Sequence, residues 1–377
     1  MRLLAKVENN HRRLVNSFFA LVRAGLWEQS VRLLEYAPID FEAVYDLADQ
    51  QSVVGLIAAG LEYVEDRKVV KKEALPFLKK VFGLESRNSS MNAFIGDIVS
   101  RMRDEDILPV LIKGQGVAQC YVRPLWRSSG DVDFFLDNEN YVKAKAFLMP
   151  IAEHVEGEDA SRLHLGMTID SWTVELHGTL HIGISARVDR GLDVVQREVF
   201  RNGSMRVWRN GDIGITLPNP NDDAIIIFTH FIKHFYVGGI GLRQICDWCR
   251  LLWTYKDTVD RELLEDRLRK MSLMKEWKAF ATLAVEWLGM PGEAMPFYSV
   301  DNRFTRKAEQ IHNLILVTGN MGHNKDESYR SRYPKLVGNV ITFWRRLGEF
   351  ARLSTIFPEN APRFFVTYVL RRTSAVL

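Results

Sequence analysis

In the segment GDVDFFLD, Asp131 and Asp133 are separated by one residue within an otherwise apolar run. Successive side chains of a β-strand alternate faces, so residues two apart point the same way. Asp131 and Asp133 therefore project together, and Val132 projects into the opposite layer. Two carboxylates held side by side repel unless a proton or a cation lies between them. Oxygen ligands of this kind suit magnesium or manganese, which also bind substrate phosphates. A bare Asp-x-Asp is common, and its acids often simply face water. Here Phe134 and Phe135 follow, and an unpaired charge at Asp133 would be costly in that setting.

A third acid has a similar setting. Glu175 lies in the strand-like run WTVELHGTL, where Val174 and Leu176 face a core while Glu175 and His177 share the other face. If this strand lies beside that of Asp131 and Asp133, three carboxylates converge, the arrangement used in two-metal phosphoryl transfer. Asp131, Asp133 and Glu175 are thus the candidate catalytic and metal-binding residues, with Mg2+ or Mn2+ as the cofactor.

Upstream, ILPVLIKGQG places Lys113 and Gly114 at a strand-to-helix turn. Exposed N–H groups at a helix start bind phosphate, glycine admits a close backbone approach, and Lys113 adds a point charge for a triphosphate. A Lys-Gly pair is usually only a turn; its interest comes from lying one short helix before the paired aspartates. Arg127 and Ser129 sit in the intervening loop. Arg127 either contacts a phosphate or anchors the loop through an acid such as Asp137. His230 and His234 share one face of AIIIFTHFIKHF, where they bind a metal, pack against the core or approach the nucleotide. No acid stands at the spacing that a zinc protease requires. The candidate nucleotide-binding set is Lys113, Gly114, Arg127, Ser129, His177 and His234.

The elements that must position these residues follow from periodicity. Residues 1–103 read as helical, with apolar residues at three- and four-residue spacing in LVNSFFALVRAGLW and SVVGLIAAGLEYV. Prolines punctuate this region only at Pro38 and Pro76. Strands are expected at 107–112 and 131–137, a helix at 139–148, and two strands within 164–180 about a turn at Asp170-Ser171. Helical texture returns at Asn219, a cap followed by an acidic first turn, with further helices at 240–256, 260–288 and 303–318. The expected class is α+β: a small mixed sheet core (104–217) between helical regions (1–103 and 218–377).

Composition narrows the partners. The 377 residues are 47% hydrophobic and 26% charged, which suits a globular protein with a sizeable core. With 50 basic against 47 acidic residues, the net charge of +3 is too even for a wide phosphate footprint, so a nucleic-acid partner is not favoured. Cys120, Cys246 and Cys249 cannot build a disulfide framework, and Cys246-x-x-Cys249 lacks the second pair of a zinc site, so both read as buried helical residues. FWRRLGEFARL and APRFFVTYVLRRTSAVL mix arginines with aromatics; they either make peripheral contact with an anionic membrane or, as favoured here, close the helical region with arginines facing water. The N-terminal stretch has no apolar run suited to a signal peptide and no segment suits a membrane span, so the expected location is cytoplasmic.

Taken together, Lys113-Gly114, Tyr121, Arg127, Asp131-Val132-Asp133, Glu175-Leu176-His177, His230, His234, Arg243 and Asp247 resemble the nucleotidyltransferases of the DNA polymerase β-like superfamily. Within it, they are most similar to the branch of uncharacterised bacterial nucleotidyltransferases, over about residues 50–255. The resemblance implies a mixed sheet flanked by helices, two magnesium ions and transfer of a nucleotidyl group from a nucleoside triphosphate to an acceptor. It implies that Asp131 and Asp133 contact both metals, and that Glu175 contacts one and helps orient an acceptor hydroxyl. The superfamily's usual Gly-Ser or Gly-Gly phosphate motif is Lys113-Gly114 here, and the gap to Asp131 is longer than in its most familiar members. The acceptor is not implied. The alternative is a catalytically idle member that serves as a binding or scaffold module, whether free or at a membrane surface.

Overall fold

The computed structural model describes residues 2–201, 205–322, 324 and 332–374. The chain opens with four helices: α1 (Arg2–Trp27), α2 (Phe41–Gln50), α3 (Val54–Leu61) and α4 (Lys71–Asp104). Helices α1 and α3 cross so closely that only glycine fits between them. A Cβ on Gly25 would lie 1.9 Å from the Leu56 carbonyl oxygen, and one on Gly60 would lie 2.2 Å from that of Leu21. Helix α3 then presses on the loop that leads to the acids, because a Cβ on Gly55 would lie 2.0 Å from the Trp126 carbonyl oxygen. Pro76 falls inside α4 without ending it. It costs the 34-residue helix one rung of the ladder, the N–H that would reach back to Lys72.

The sheet is mixed and the class is α+β. Its strands are β1 (Val110–Ile112), β2 (Val132–Phe135), β3 (His154–Val155), β4 (His164–Ile169) and β5 (Trp172–His177), in the order β1-β2-β5-β4-β3. Strands β2 and β5 pair in parallel; the other neighbours are antiparallel. The strand expected from 107 contracts to Val110–Ile112, since Leu108 is exposed and Pro109 has no N–H for a ladder. Asp131 stands just ahead of β2. Asp137 leaves it to cap α6 (Asn138–Leu148), accepting the Asn140 N–H. Asp170 and Ser171 both have positive φ, 50° and 66°, as a tight hairpin turn between β4 and β5 requires.

The two sheet faces have different surroundings. Leu111, Val132, Phe134, Leu165, Val174 and Leu176 pack with Ile95 and Ile98 of α4 and Tyr141 and Leu148 of α6. Val110, Ile112 and Phe135 face the other way, into a core shared with α1 and the helices after residue 219. Between strand and helix lie α5 (Gly114–Ala118), α7 (Ala186–Arg201) and a separate hairpin of β6 (Arg206–Asn210) and β7 (Ile213–Leu217).

Helix α8 (Pro220–Val237) begins where Asn219 accepts the N–H groups of Asn221 and Asp222. Its first-turn acids are buried and paired, Asp222 with Arg267 at 2.7 Å and Asp223 with Arg206. Then come α9 (Leu242–Thr254), α10 (Arg261–Met271), α11 (Met274–Glu286), α12 (Asn302–Thr318), α13 (Lys335–Ile356) and α14 (Asn360–Ser374). The single helix expected over 260–288 is two helices. Ser272 takes a left-handed conformation, φ 58°, and the Leu273 N–H closes on the Leu268 carbonyl. Cys246 and Cys249 are buried free thiols on α9, and burial pushes both up. Helices α13 and α14 bury Phe350, Leu353, Ile356 and Phe364, while Val340, Phe343 and Trp344 are exposed. Residues 375–377 of the basic C-terminal segment lie outside the described residues. No helix among the described residues is long and apolar enough to cross a membrane.

The glycine contacts generate a paired prediction. Gly60→Val forces backbone against backbone and is expected to cost about 3 kcal/mol, at the upper end of overpacking effects. Gly83→Ala, at a position on α4 with nothing within 4 Å of its Cβ, is expected to be neutral or slightly stabilising. Urea unfolding followed by far-UV circular dichroism measures both.

Candidate active site

The parallel register of β2 and β5 sets Asp133 directly opposite Glu175, and Ile112 flanks Asp133 on its other side. Paired residues on neighbouring strands share a face, so both carboxylates rise toward the same space. Asp131 joins them from the end of the loop. One oxygen from each of Asp131, Asp133 and Glu175 lies within 4.8 Å of the others.

Three acids at this distance need positive charge, and the chain supplies some of it. Lys113 Nζ donates to Asp133 Oδ1 at 2.6 Å, and His177 Nε2 lies 2.8 Å from the same oxygen. His164 Nε2 lies 3.2 Å from Glu175 Oε2. The Lys113 ammonium is thus held among the acids, where a cation would go, rather than reaching into open space. Its backbone, at φ 58° and ψ −145°, lies in a region that non-glycine residues avoid. Such a conformation costs on the order of 1–3 kcal/mol and persists only where its surroundings enforce it.

Proton affinities report the same balance. Burial pulls the Lys113 ammonium down, but the charges of Asp133, Asp131 and Glu175 together push it above the ordinary lysine range. Burial pushes Glu175 up, yet hydrogen bonds with His164 and His177 and the Lys113 charge hold its carboxyl far below the usual range. Asp131 moves the opposite way: repulsion from Asp133, then burial, raises it above an ordinary aspartate. Asp131 is the acid least compensated by the chain.

Two clefts meet at these acids. The larger, about 250 Å³, is lined by Lys113, Asp131, Arg162, Glu175, Lys233 and His234, among others. The smaller, about 50 Å³, has Lys113, Gly114, Arg127, Asp131, Asp133 and Arg243 in its wall. Burial first, then the Lys113 charge, lowers Lys233 to about 8, so it is mostly protonated at neutral pH. Burial, then the charge on Lys233, lowers His234 to about 4, and burial lowers His230 well below the ordinary range, leaving both imidazoles neutral. Neither histidine belongs to a metal-capable group among the described residues.

Arg127 has one of its two expected kinds of partner, but a different acid. Its Nε and Nη2 donate to Asp247 Oδ1 and Oδ2 at 2.9 and 2.7 Å, whereas Asp137 is occupied in capping α6. Tyr121 also donates to Asp247, and Arg127 Nη1 donates to Ser129 Oγ at 2.9 Å. Arg243 holds the Ser128 carbonyl, and Asn88 Nδ2 donates to the carbonyls of Leu125 and Arg127. The whole loop before Asp131 is therefore pinned. Gly114, φ 40°, sits against it, with a Cβ there lying 3.4 Å from the Asp131 carbonyl oxygen.

Four basic residues of the larger cleft were not singled out from the sequence: Arg162, His164, His181 and Lys233. Two had usable signals. His164 and His177 are equidistant from the Asp170-Ser171 turn and so face each other across β4 and β5. Lys233 is three residues from His230, within reach of the same helical face. Arg162 and His181 flank the strands in loops, and nothing local marks them.

The model of a family described as uncharacterised nucleotidyltransferase matches residues 37–289, running from just before α2 to just beyond α11. The chain belongs to that family. Neither the curated proteins nor the solved structures gave a match.

Two outcomes follow. Removing one partner of a buried ion pair strands the other charge, so Asp247→Ala is expected to destabilise the protein by about 3–5 kcal/mol in chemical denaturation. For Asp131 the sign is reversed. A carboxyl with a raised folded pKa contributes stability when protonated and loses it as pH rises through that pKa. Asp131→Asn is therefore expected to raise the melting temperature at pH 7, with the difference closing below pH values where ordinary carboxylates titrate. A lower melting temperature at pH 7 would contradict the repulsion described above.

Proposed function

We propose that the chain transfers a nucleotidyl group from a nucleoside triphosphate to an acceptor hydroxyl or phosphate, with divalent cations held by Asp131, Asp133 and Glu175. The observation that carries this reading is the convergence of three carboxylate oxygens within 4.8 Å, at the junction of two cation-lined clefts. The donor set fits Mg2+ or Mn2+: all hard oxygens, one of them on Asp131, whose proton affinity is raised by the neighbouring Asp133. When bound, such ions polarise phosphoryl oxygens and steady a leaving pyrophosphate.

The chain's own residues do the rest. Lys233 holds phosphate oxygens in the larger cleft, whose wall also carries Arg162 bonded to Asp159, and Gly114 lets the backbone approach closely. Lys113 exchanges Asp133 for a phosphate oxygen, keeping its charge paired throughout. Neutral His234 supplies a hydrogen-bonding nitrogen without adding charge, and His177 presents its Nε2 beside Asp133. Arg127 and Ser129 act chiefly by fixing the loop that delivers Asp131, since the guanidinium is already spent on Asp247.

A second reading, nucleotide binding without turnover, is favoured by one specific contact. Lys113 occupies Asp133 at 2.6 Å and would have to leave before a cation could bind there. Titration calorimetry with each common nucleoside triphosphate, with and without Mg2+, tests metal-dependent binding. Loss of the metal-dependent part in Asp133→Ala supports the metal site, and unaffected binding overturns it. Incubation with labelled triphosphates and cell extract then separates transfer from binding alone, because only transfer moves label onto another molecule.

Lys233 adds a further expectation. Its charged form binds phosphate, so nucleotide affinity should fall as pH rises through about 8, and Lys233→Arg should abolish that dependence. Lys233→Met should weaken binding about tenfold at pH 7, corresponding to one charge-assisted hydrogen bond. Calorimetry at several pH values measures both.

A further inference from the structure

We infer that His164, Glu175 and His177 form a second cation site, distinct in chemistry from the three-acid group and suited to a transition metal such as Zn2+ or Co2+. The three side chains offer His164 Nε2, His177 Nε2 and Glu175 Oε2, all within 4.8 Å of one another. The two nitrogens lie 3.2 and 3.4 Å from the glutamate oxygen. A tetrahedral ion with bonds of about 2.1 Å puts adjacent ligand atoms about 3.4 Å apart, so both separations match the edges of a coordination polyhedron. The same His177 Nε2 also lies 2.8 Å from Asp133 Oδ1, a hydrogen bond that it gives up on turning its lone pair to the ion.

The backbone enforces the arrangement. His164 and His177 are cross-strand partners on β4 and β5, with ring centroids 4.8 Å apart, and Glu175 follows on the same face. The residue paired with Glu175 is Gly166, and the space its side chain would fill is taken by the carboxylate of Glu156, 2.7 Å from a Cβ built there. A second negative group thus stands beside Glu175. The set is accessible, with side chains 34%, 27% and 16% exposed for His164, Glu175 and His177. All three line the larger cleft, so the open coordination position of a three-ligand site faces the space assigned to substrate.

Two imidazoles and one carboxylate are borderline ligands that select zinc or cobalt over magnesium. On binding, each imidazole Nε2 turns its lone pair to the ion, releasing any proton it shares with a carboxylate to solvent. The inference does not require the three-acid group to be catalytic, although Glu175 belongs to both sets.

The test uses the full chain and Co2+ as a visible probe. Wild-type protein should give the intense d–d bands of a four- or five-coordinate site and bind Zn2+ in competition with a chromophoric chelator. His164→Gln should remove the bands and weaken Zn2+ binding by about 100-fold or more, exceeding the usual cost of disturbing an outer-shell partner. Asp131→Asn should leave the Co2+ spectrum in place, which separates this site from the three-acid group. X-ray absorption at the Zn edge of the wild type supplies a readout that needs no variant: imidazole scattering is expected. Absence of that scattering, or a Co2+ spectrum and Zn2+ affinity unchanged in His164→Gln, overturns the site. Loss of Mg2+-dependent nucleotide binding in Asp133→Ala bears on the proposed function and leaves this inference untouched.

Discussion

Two carboxylates in register on adjacent parallel strands are an electrostatic liability that the rest of this structure answers. Asp133 and Glu175 cannot move apart, because the same strands carry Val132, Phe134, Val174 and Leu176 into a packed layer beneath them. A strand displaced by one residue would bury the acids and expose the apolar set. The sheet's hydrophobic side thus fixes the spacing of its charged side. Lysine, histidines and an arginine-anchored loop are gathered around that fixed point, and Asp131 is left with the smallest share of compensation.

The supporting shell is drawn from the whole length of the chain. Asn88 of α4, Asp247 and Arg243 of α9, and the glycine face of α3 all hold the segment between Leu125 and Ser129. Helix α9 also reaches α1, where Arg250 donates to the Leu26 carbonyl at 2.8 Å. The helices before and after the sheet share one apolar core on the site side. Loop position and core packing are therefore coupled, and the acids are set by contacts made far from them.

Much of this was legible because it depends on short periods. Alternation along DVDFFLD and WTVELHGTL puts the acids on one face and the apolar residues on the other, and Asp170-Ser171 marks the turn that aligns β4 with β5. What escaped depends on distance in sequence. Asp247 lies 120 residues beyond Arg127, so nothing near Arg127 distinguishes it from Asp137 as a partner. Lys113 reads locally as a turn residue facing a phosphate, and only its positive φ sends the ammonium back to Asp133. Ser272 has no glycine or proline to announce that it divides α10 from α11. The cleft itself depends on how α8 lies over the sheet, which no local pattern encodes.

The tether between Lys113 and Asp133 has a consequence for how the protein is made. A cation attached to the chain travels with it during folding, at an effective concentration independent of what the solution supplies. The acids therefore come together with a counter-charge already attached to the chain. Under the function proposed above, any ion bound there competes with that incumbent, so one side chain sets how tightly it is held.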